Sequence, residues 1–294
     1  MNPKTGSRKA RTHKGVFTAS PAALLRADPG FRLADRPTDA TPGFTGKKND
    51  GAAALGARAG VLAGLQEQLF AESRFGGTRS VLLVLQAMDT AGKGGIVKHV
   101  VGSVDPQGVQ LKSFKAPTDE EKSHDFLWRI RPNVPAAGMV GVFDRSHYED
   151  VLIHRVHGWA DAAELGRRYA AINAFEAELT AAGTTVVKVM LNVGGDEQRR
   201  RLAARLADPT KHWKYSTTDL DERAYWPAYM DAYQAAFDRT STPAAPWHVV
   251  PADRKWYARL AVQEILIEAL AALDMTWPSG HFDVAVELAR LAQA

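Results

Sequence analysis

The chain has 294 residues, 45% of them hydrophobic and 24% charged, which suits one large or two small globular domains with a sizeable core. The absence of cysteine excludes disulfides, thiolate metal sites and cysteine nucleophiles, and fits a reducing cytoplasm. A formal net charge of +4 does not by itself call for nucleic acid, no apolar run approaches the roughly 20 residues of a membrane helix, and the N-terminus lacks a signal peptide's apolar core.

Met1–Lys14 carries five basic residues and no acid, the pattern of a solvated tail. Residues 15–50, rich in Pro, Gly, Asp and Thr, read as an irregular arm. A helix is expected over 52–70, where Leu55, Val61, Leu62, Leu65 and Leu69 form one apolar face. The apolar run Val81–Leu85 reads as a buried strand, followed by the loop Ala87–Gly95 and a helix-like pattern at Ile96, Val97 and Val100. Further strands are expected at 109–114, 138–143, 184–193 and 247–250. Further helices are expected at 119–131, 160–182, 196–207, 220–239 and 254–273. Thr118 with Glu121 reads as a capping box for the 119–131 helix, and Pro227 as a kink in the 220–239 helix. Strands alternating with helices predict an α/β fold with a parallel sheet covered on both faces. In such a sheet the loops after Leu85, Phe143 and Val193 share one end, where ligands sit.

Three blocks carry the chemistry. The first is the loop AMDTAGKGG, 87–95, between strand and helix. Its free N–H groups and the helix dipole favour an anion, and Lys93 adds a mobile charge. The match to the phosphate-loop pattern is incomplete, because Ala87 replaces its first Gly and Gly94 replaces the hydroxyl that holds Mg²⁺. Asp89 inside an anion-binding loop would repel the ligand unless a cation lies between them, so Asp89 is expected to take over the metal role. The second block is Asp144-Arg145 at the end of an apolar strand, where P-loop enzymes keep a metal carboxylate. Arg145 reads either as a surface salt bridge or as a fixed charge beside the transferring phosphoryl group. Glu149 and Asp150 read as metal or ribose contacts, or as caps of the next helix. His147 reads as a phosphate contact or a packed loop histidine, and Tyr148 as packing. The third block is 196–214, with Arg199, Arg200, Arg201, Arg205, Lys211 and Lys214. On a helix Arg201 and Arg205 fall one turn apart, on one face. Placed at the active end of the sheet, this block suits a phosphate-covering lid, and Lys112, Lys115, Arg129 and Arg131 would add positive charge to the same groove.

With these blocks in view the chain resembles the polyphosphate kinase 2 family over roughly residues 16–275. The resemblance rests on QAMDTAGKGG (86–95), SFKAPT (113–118), HDFLWR (124–129), FDRSHYEDVL (143–152), NAFE (173–176), EQRRRLAARLADPTKHWK (197–214) and APWHVVPADRKW (245–256). HDFLWR, SHYEDVL and NAFE resemble the subgroup that phosphorylates both nucleoside monophosphates and diphosphates. The resemblance implies a three-layer P-loop kinase fold with a helical lid around 196–218, a catalytic domain over 51–275 and a C-terminal extension over 276–294. It implies reversible transfer between inorganic polyphosphate and a nucleotide (AMP to ADP, ADP to ATP), with Mg²⁺ or Mn²⁺. Asp89 and Asp144 match the metal-binding and acceptor-binding acids, and Lys93 and Arg145 the catalytic phosphate-binding cations. Gly92, Gly94 and Gly95 match the loop, and Arg205, Lys211 and Lys214 the polyphosphate-binding lid. His147 and Glu149 are expected on the nucleotide side. Adenine and guanine nucleotides are the candidate acceptors, no membrane or specific nucleic acid is implied, and a homodimer or homotetramer is expected. Two rivals share parts of this pattern: an ATP-dependent nucleoside monophosphate kinase, and a non-catalytic polyanion-binding protein, for which Asp89 and Asp144 would be repulsive.

Overall fold

The computed structural model describes residues 16–294, so the basic tail Met1–Lys14 lies outside the described residues. Five strands, β1 (Ser80–Ala87), β2 (Val109–Ser113), β3 (Val140–Asp144), β4 (Thr184–Asn192) and β5 (Trp247–Pro251), form one sheet in the order β2-β3-β1-β4-β5. Every pairing between them is parallel. In the central strand Val81–Leu85 is fully buried, as an unbroken apolar run requires of a strand covered on both faces.

The helices in chain order are α1 (Pro21–Leu24), α2 (Lys48–Ser73), α3 (Lys93–His99), α4 (Asp119–Ser123), α5 (Glu149–Val156), α6 (Ala162–Ala181), α7 (Gly195–Ala207), α8 (Thr217–Asp221), α9 (Trp226–Thr240), α10 (Lys255–Ala271) and α11 (Val284–Leu291). Helices α2 and α3 pack with α10, while α5, α6 and α9 pack with one another. These groups lie on opposite faces because the crossover from β1 to β2 runs one way along the sheet and those from β3 to β4 and β4 to β5 run the other. Right-handed crossovers in opposite directions place their helices on opposite sides. The direction changes between the adjacent strands β1 and β3, and the crevice beyond their carboxyl ends is the binding position of such a sheet. The irregular arm lies along β5: Ala27 N donates to Trp247 O (2.8 Å) and Val249 N to Leu25 O (2.7 Å), covering an edge that would otherwise be open.

Two expected helices are corrected. The 119–131 helix stops at Ser123 although its capping box forms, with Thr118 N donating to Glu121 Oε2 (2.8 Å) and Glu121 N to Thr118 Oγ1 (3.2 Å). Asp125 then captures the Leu127 N–H (3.0 Å) and starts a separate turn that buries Phe126, Leu127 and Ile130. The 220–239 helix has no kink at Pro227. The long helix α9 begins at Trp226, so the proline occupies its first turn, where its missing N–H costs nothing. Helix α11 is an addition that the sequence reading did not contain.

Candidate active site

The loop after β1 joins a buried strand to a short helix through two residues in the left-handed region, Thr90 (φ 63°) and Gly92 (φ 125°). Gly92 is needed for its conformation, because an added Cβ there would meet nothing within 4 Å. At Gly95 an added Cβ would lie 3.3 Å from Arg259 Nη2, a tight contact that a small shift of that guanidinium would relieve. Ile96, almost fully buried, anchors α3 in the core. The first-turn N–H groups of a helix have no acceptor within it, and Gly92, Lys93 and Gly94 line an open cleft. Lys93 Nζ folds back over the loop and donates to Ala87 O (3.3 Å).

Asp144 ends β3 directly beside Leu85 of β1. Arg145 follows in a left-handed conformation (φ 64°), its N–H bonded to Leu85 O (3.1 Å). This turn aims the guanidinium across the crevice, where Nη2 donates to Asp89 Oδ1 at 3.2 Å. Glu149 most of all, then Asp89 and Asp144, raise the Arg145 pKa against the effect of its burial. The three acids therefore surround one permanently charged guanidinium. The Gln86 amide ties the two strand ends together: oriented to satisfy both of its atoms, its nitrogen donates to Glu149 Oε1 (2.9 Å) and its oxygen accepts from Ser146 N (3.2 Å).

Helix α7 and the turn Pro209–Lys214 follow β4 and contribute residues to the cleft lining. Arg205 Nη1 donates to Lys214 O (3.0 Å) and stands 3.5 Å from Asp219 Oδ2, which folds the covering segment on itself. Lys211 pairs with Asp208 (3.5 Å), and the Lys214 ammonium lies over the Trp213 ring (4.6 Å to its centre). Arg199 and Arg200 pair with Asp196 and Glu197 on the exposed side of the helix. Arg205, Lys211 and Lys214 line the same cleft as Asp89, Lys93, Asp144 and Arg145. Its volume is about 1370 Å³, and thirteen Lys and Arg against six Asp and Glu line it. The excess of cations gives the cleft a positive lining that favours an anion.

Several expected residues lie elsewhere. His147 is fully enclosed, 3.5 Å from Glu176 and edge-on to Phe175, and burial lowers its pKa. It therefore packs in the core and does not face the cleft. Arg129 is buried and donates to Lys115 O (2.8 Å), and Arg131 pairs with Glu178 (2.7 Å) on the surface. Neither adds to the groove, whereas Lys115 does. Lys98 of α3, and Lys255 and Arg259 of α10, complete the cleft wall and were not singled out from sequence. Lys255 and Arg259 are four apart and so share one helix face, a signal that the apolar content of α10 hides.

Residues 45–277 match the family model described as polyphosphate kinase 2. The chain belongs to the polyphosphate kinase 2 family. It is similar to the AMP/ADP-polyphosphate phosphotransferase of Meiothermus ruber, at 42% identity over 254 residues, covering 86% of this chain and 94% of the relative. It is 44% identical over 229 residues to the ADP-polyphosphate phosphotransferase of Rhodopseudomonas palustris, covering 74% of this chain and 78% of the relative. The crystal structure of polyphosphate kinase 2 from Arthrobacter aurescens TC1 superposes with a TM-score of 0.93 at 67% identity, covering 95% of this chain and 98% of that one. The polyphosphate kinase 2 fold seen here is the P-loop kinase arrangement expected from the sequence, and the chain is a phosphotransferase. Among the described residues no helix is long and apolar enough to cross a membrane.

Proposed function

We propose that this polyphosphate kinase 2 transfers a phosphoryl group reversibly between inorganic polyphosphate and AMP or ADP. One observation carries the reading: the loop lysine, two acids from adjacent strand ends and the lid cations share one cleft. The names of the Meiothermus and Rhodopseudomonas relatives support AMP and ADP as acceptors. Guanine nucleotides are proposed as further acceptors.

Lys93 and the loop N–H groups hold the phosphates of the donor chain. Arg145 lies where the transferring group passes, and its direct charge offsets the negative charge spread over the equatorial oxygens. Glu149 and Asp144 keep that guanidinium charged and aimed. Arg205, Lys211 and Lys214 hold the rest of the polyphosphate, and Lys98, Lys255 and Arg259 give it a wall to run along. The acceptor oxygen of a nucleotide phosphate is already ionised, so positioning and charge suffice without a strong general base.

Asp89 and Asp144 fit Mg²⁺ or Mn²⁺. Among the described residues no group of three or more His, Cys, Asp or Glu forms a complete ligand set. Two carboxylates leave the remaining positions to water and substrate phosphates, the arrangement Mg²⁺ prefers. When bound, the ion supplies charge neutralisation between two anionic substrates.

The deciding experiment offers ADP and polyphosphate with Mg²⁺ and no other nucleotide, then AMP, GMP and GDP separately. ATP formation from ADP is expected. Transfer only from an ATP donor would establish the monophosphate kinase reading instead. A homodimer or homotetramer is also proposed, supported by the exposed apolar residues Trp277, Phe282, Leu288 and Leu291 near the C-terminus. Light scattering would show a monomer if that is wrong.

A further inference from the structure

Three consecutive carbonyls of the phosphate loop are each held by a side chain of α7. Gln198 Nε2 donates to Asp89 O (3.0 Å), and Arg201 Nη1 donates to both Thr90 O (3.0 Å) and Ala91 O (2.8 Å). Arg201 Nη2 reaches Ala252 O (2.7 Å) and Asp253 O (2.9 Å) at the end of β5, and its Nε donates to Glu197 Oε1 (2.6 Å). All five N–H groups of the guanidinium are thereby used within the protein. Gln198 is fixed in turn, its Oε1 accepting from Arg223 Nη1 (2.5 Å), which also donates to Gly195 O (2.9 Å). Both Gln198 and Arg201 are buried.

A loop that receives phosphate must turn its carbonyl oxygens, which carry partial negative charge, away from the ligand. Here that orientation includes Thr90 at φ 63°, a conformation that a β-branched residue adopts only when its surroundings impose it. The Gln198 and Arg201 side chains hold the three carbonyls in this orientation. We propose that Gln198 and Arg201 are positioning residues: they hold the Asp89, Thr90 and Ala91 carbonyls at the back of the loop and so fix its open side and the Asp89 carboxylate towards the cleft. Arg201 then has no N–H left for polyphosphate, in contrast to Arg205 one turn on. Within the first two turns of α7, Gln198 and Arg201 belong to the scaffold of the loop, and Arg205 beyond them is left for the ligand.

The kinetic part of the test rests on the function proposed above; the exchange part does not. Full-length wild type, Gln198→Met, Arg201→Lys and Arg205→Ala are compared by amide hydrogen exchange of the segment 86–95 and by steady-state kinetics with polyphosphate and ADP. In Gln198→Met and Arg201→Lys, exchange of 86–95 is expected to rise at least fivefold with 140–148 unchanged. For both, kcat should fall at least tenfold with the polyphosphate KM within twofold. Arg205→Ala should do the reverse, raising KM and leaving the exchange of 86–95 alone. Wild-type exchange of 86–95 in both Gln198→Met and Arg201→Lys overturns the proposal. So does an Arg201→Lys enzyme that loses polyphosphate affinity at unchanged kcat, the signature of a direct ligand contact. A wild type that turns over no polyphosphate defeats the functional reading, and the exchange comparison still decides the positioning role.

Discussion

Arg145 Nη2 lies 3.2 Å from Asp89 Oδ1, across the crevice where β1 and β3 part. The pair joins the two sequence blocks that carry opposite charge requirements. A carboxylate in a phosphate loop needs a cation in front of it, and a phosphoryl-binding arginine needs to be held without being neutralised. Part-exposed and monodentate, the contact is weak enough for a metal ion and a phosphate to replace it.

Asp89→Asn tests this directly. The amide keeps the shape and loses the charge that recruits the ion. Activity at fixed Mg²⁺ is expected to fall on the order of 100-fold, with the titration midpoint moved to higher metal concentration. A wild-type metal titration curve for Asp89→Asn would exclude the metal role.

Among the described residues Lys93 is bonded only to Ala87 O, at 3.3 Å, so its removal costs the fold little. Lys93→Ala is expected to lower kcat by about 100-fold or more, with an unchanged thermal midpoint. Near wild-type turnover in the folded variant would remove Lys93 from the mechanism.

The lid prediction separates the two substrates. Arg205 and Lys211 line the cleft from α7 and the turn that follows it, and Glu149 is not part of that lining. Neutralising both as Arg205→Gln and Lys211→Gln is expected to raise the KM for long polyphosphate about tenfold and that for ADP much less. The wild-type KM for polyphosphate should also climb more steeply with salt than that of the variant. Equal losses for both substrates would refute the lid assignment.

The parts of this molecule legible in the sequence are those where one requirement dominates. Val81–Leu85 reads as a strand covered on both faces and is one, and the Gly and Lys pattern after it predicts the strand-to-helix turn that is found. Asp144-Arg145 is a weak signal alone, because an acid after a strand often only caps a helix, and it gains meaning only when paired with Asp89 in the neighbouring loop. The structure brings the two together, with Arg145 Nη2 at 3.2 Å from Asp89 Oδ1. What was not legible depends on tertiary choice. Arg201 and Arg205 have the same spacing signal and both line the cleft, yet every N–H of Arg201 is taken up by four carbonyls and Glu197, whereas Arg205 makes only one carbonyl bond and a 3.5 Å contact with Asp219. His147 sits among site residues in sequence, but the turn at Arg145 sends it into the core. The 119–131 pattern carries a capping box and apolar residues, and only packing decides that Asp125 interrupts it.

The NAFE block finds its physical meaning in a buried ion pair. Lys188 Nζ of β4 donates to Glu176 Oε2 (2.6 Å), Tyr148 OH (3.0 Å) and Thr240 O (2.7 Å), and Tyr148 OH donates to Glu176 Oε1 (2.8 Å). Burial opposes the charge on Glu176, and Lys188 together with His147 outweighs it, so its pKa is lowered and the carboxylate stays ionised. Removing one partner strands the other charge in the core, at a cost of about 3–5 kcal/mol. Glu176→Gln and Lys188→Met should each lower the thermal midpoint by about 10 °C, and the double variant by less than the sum. Additive losses would show that the two residues act separately.

Acid sensitivity has a named source in His248, buried on β5 with Nδ1 3.1 Å from Lys188 O. Burial lowers its pKa to about 4, against the opposing effect of that hydrogen bond. The unfolded chain takes up this proton near pH 6.5, before the folded protein does. His248 therefore contributes its full stability above about pH 6.5, and loses it as pH falls towards 4. At pH 5 the loss should be about 2 kcal/mol relative to pH 7.5. His248→Gln keeps a donor for the Lys188 carbonyl and does not titrate. Urea midpoints at pH 7.5, 6 and 5 should fall less for His248→Gln than for the wild type. Parallel pH profiles for the two proteins would move the acid sensitivity elsewhere.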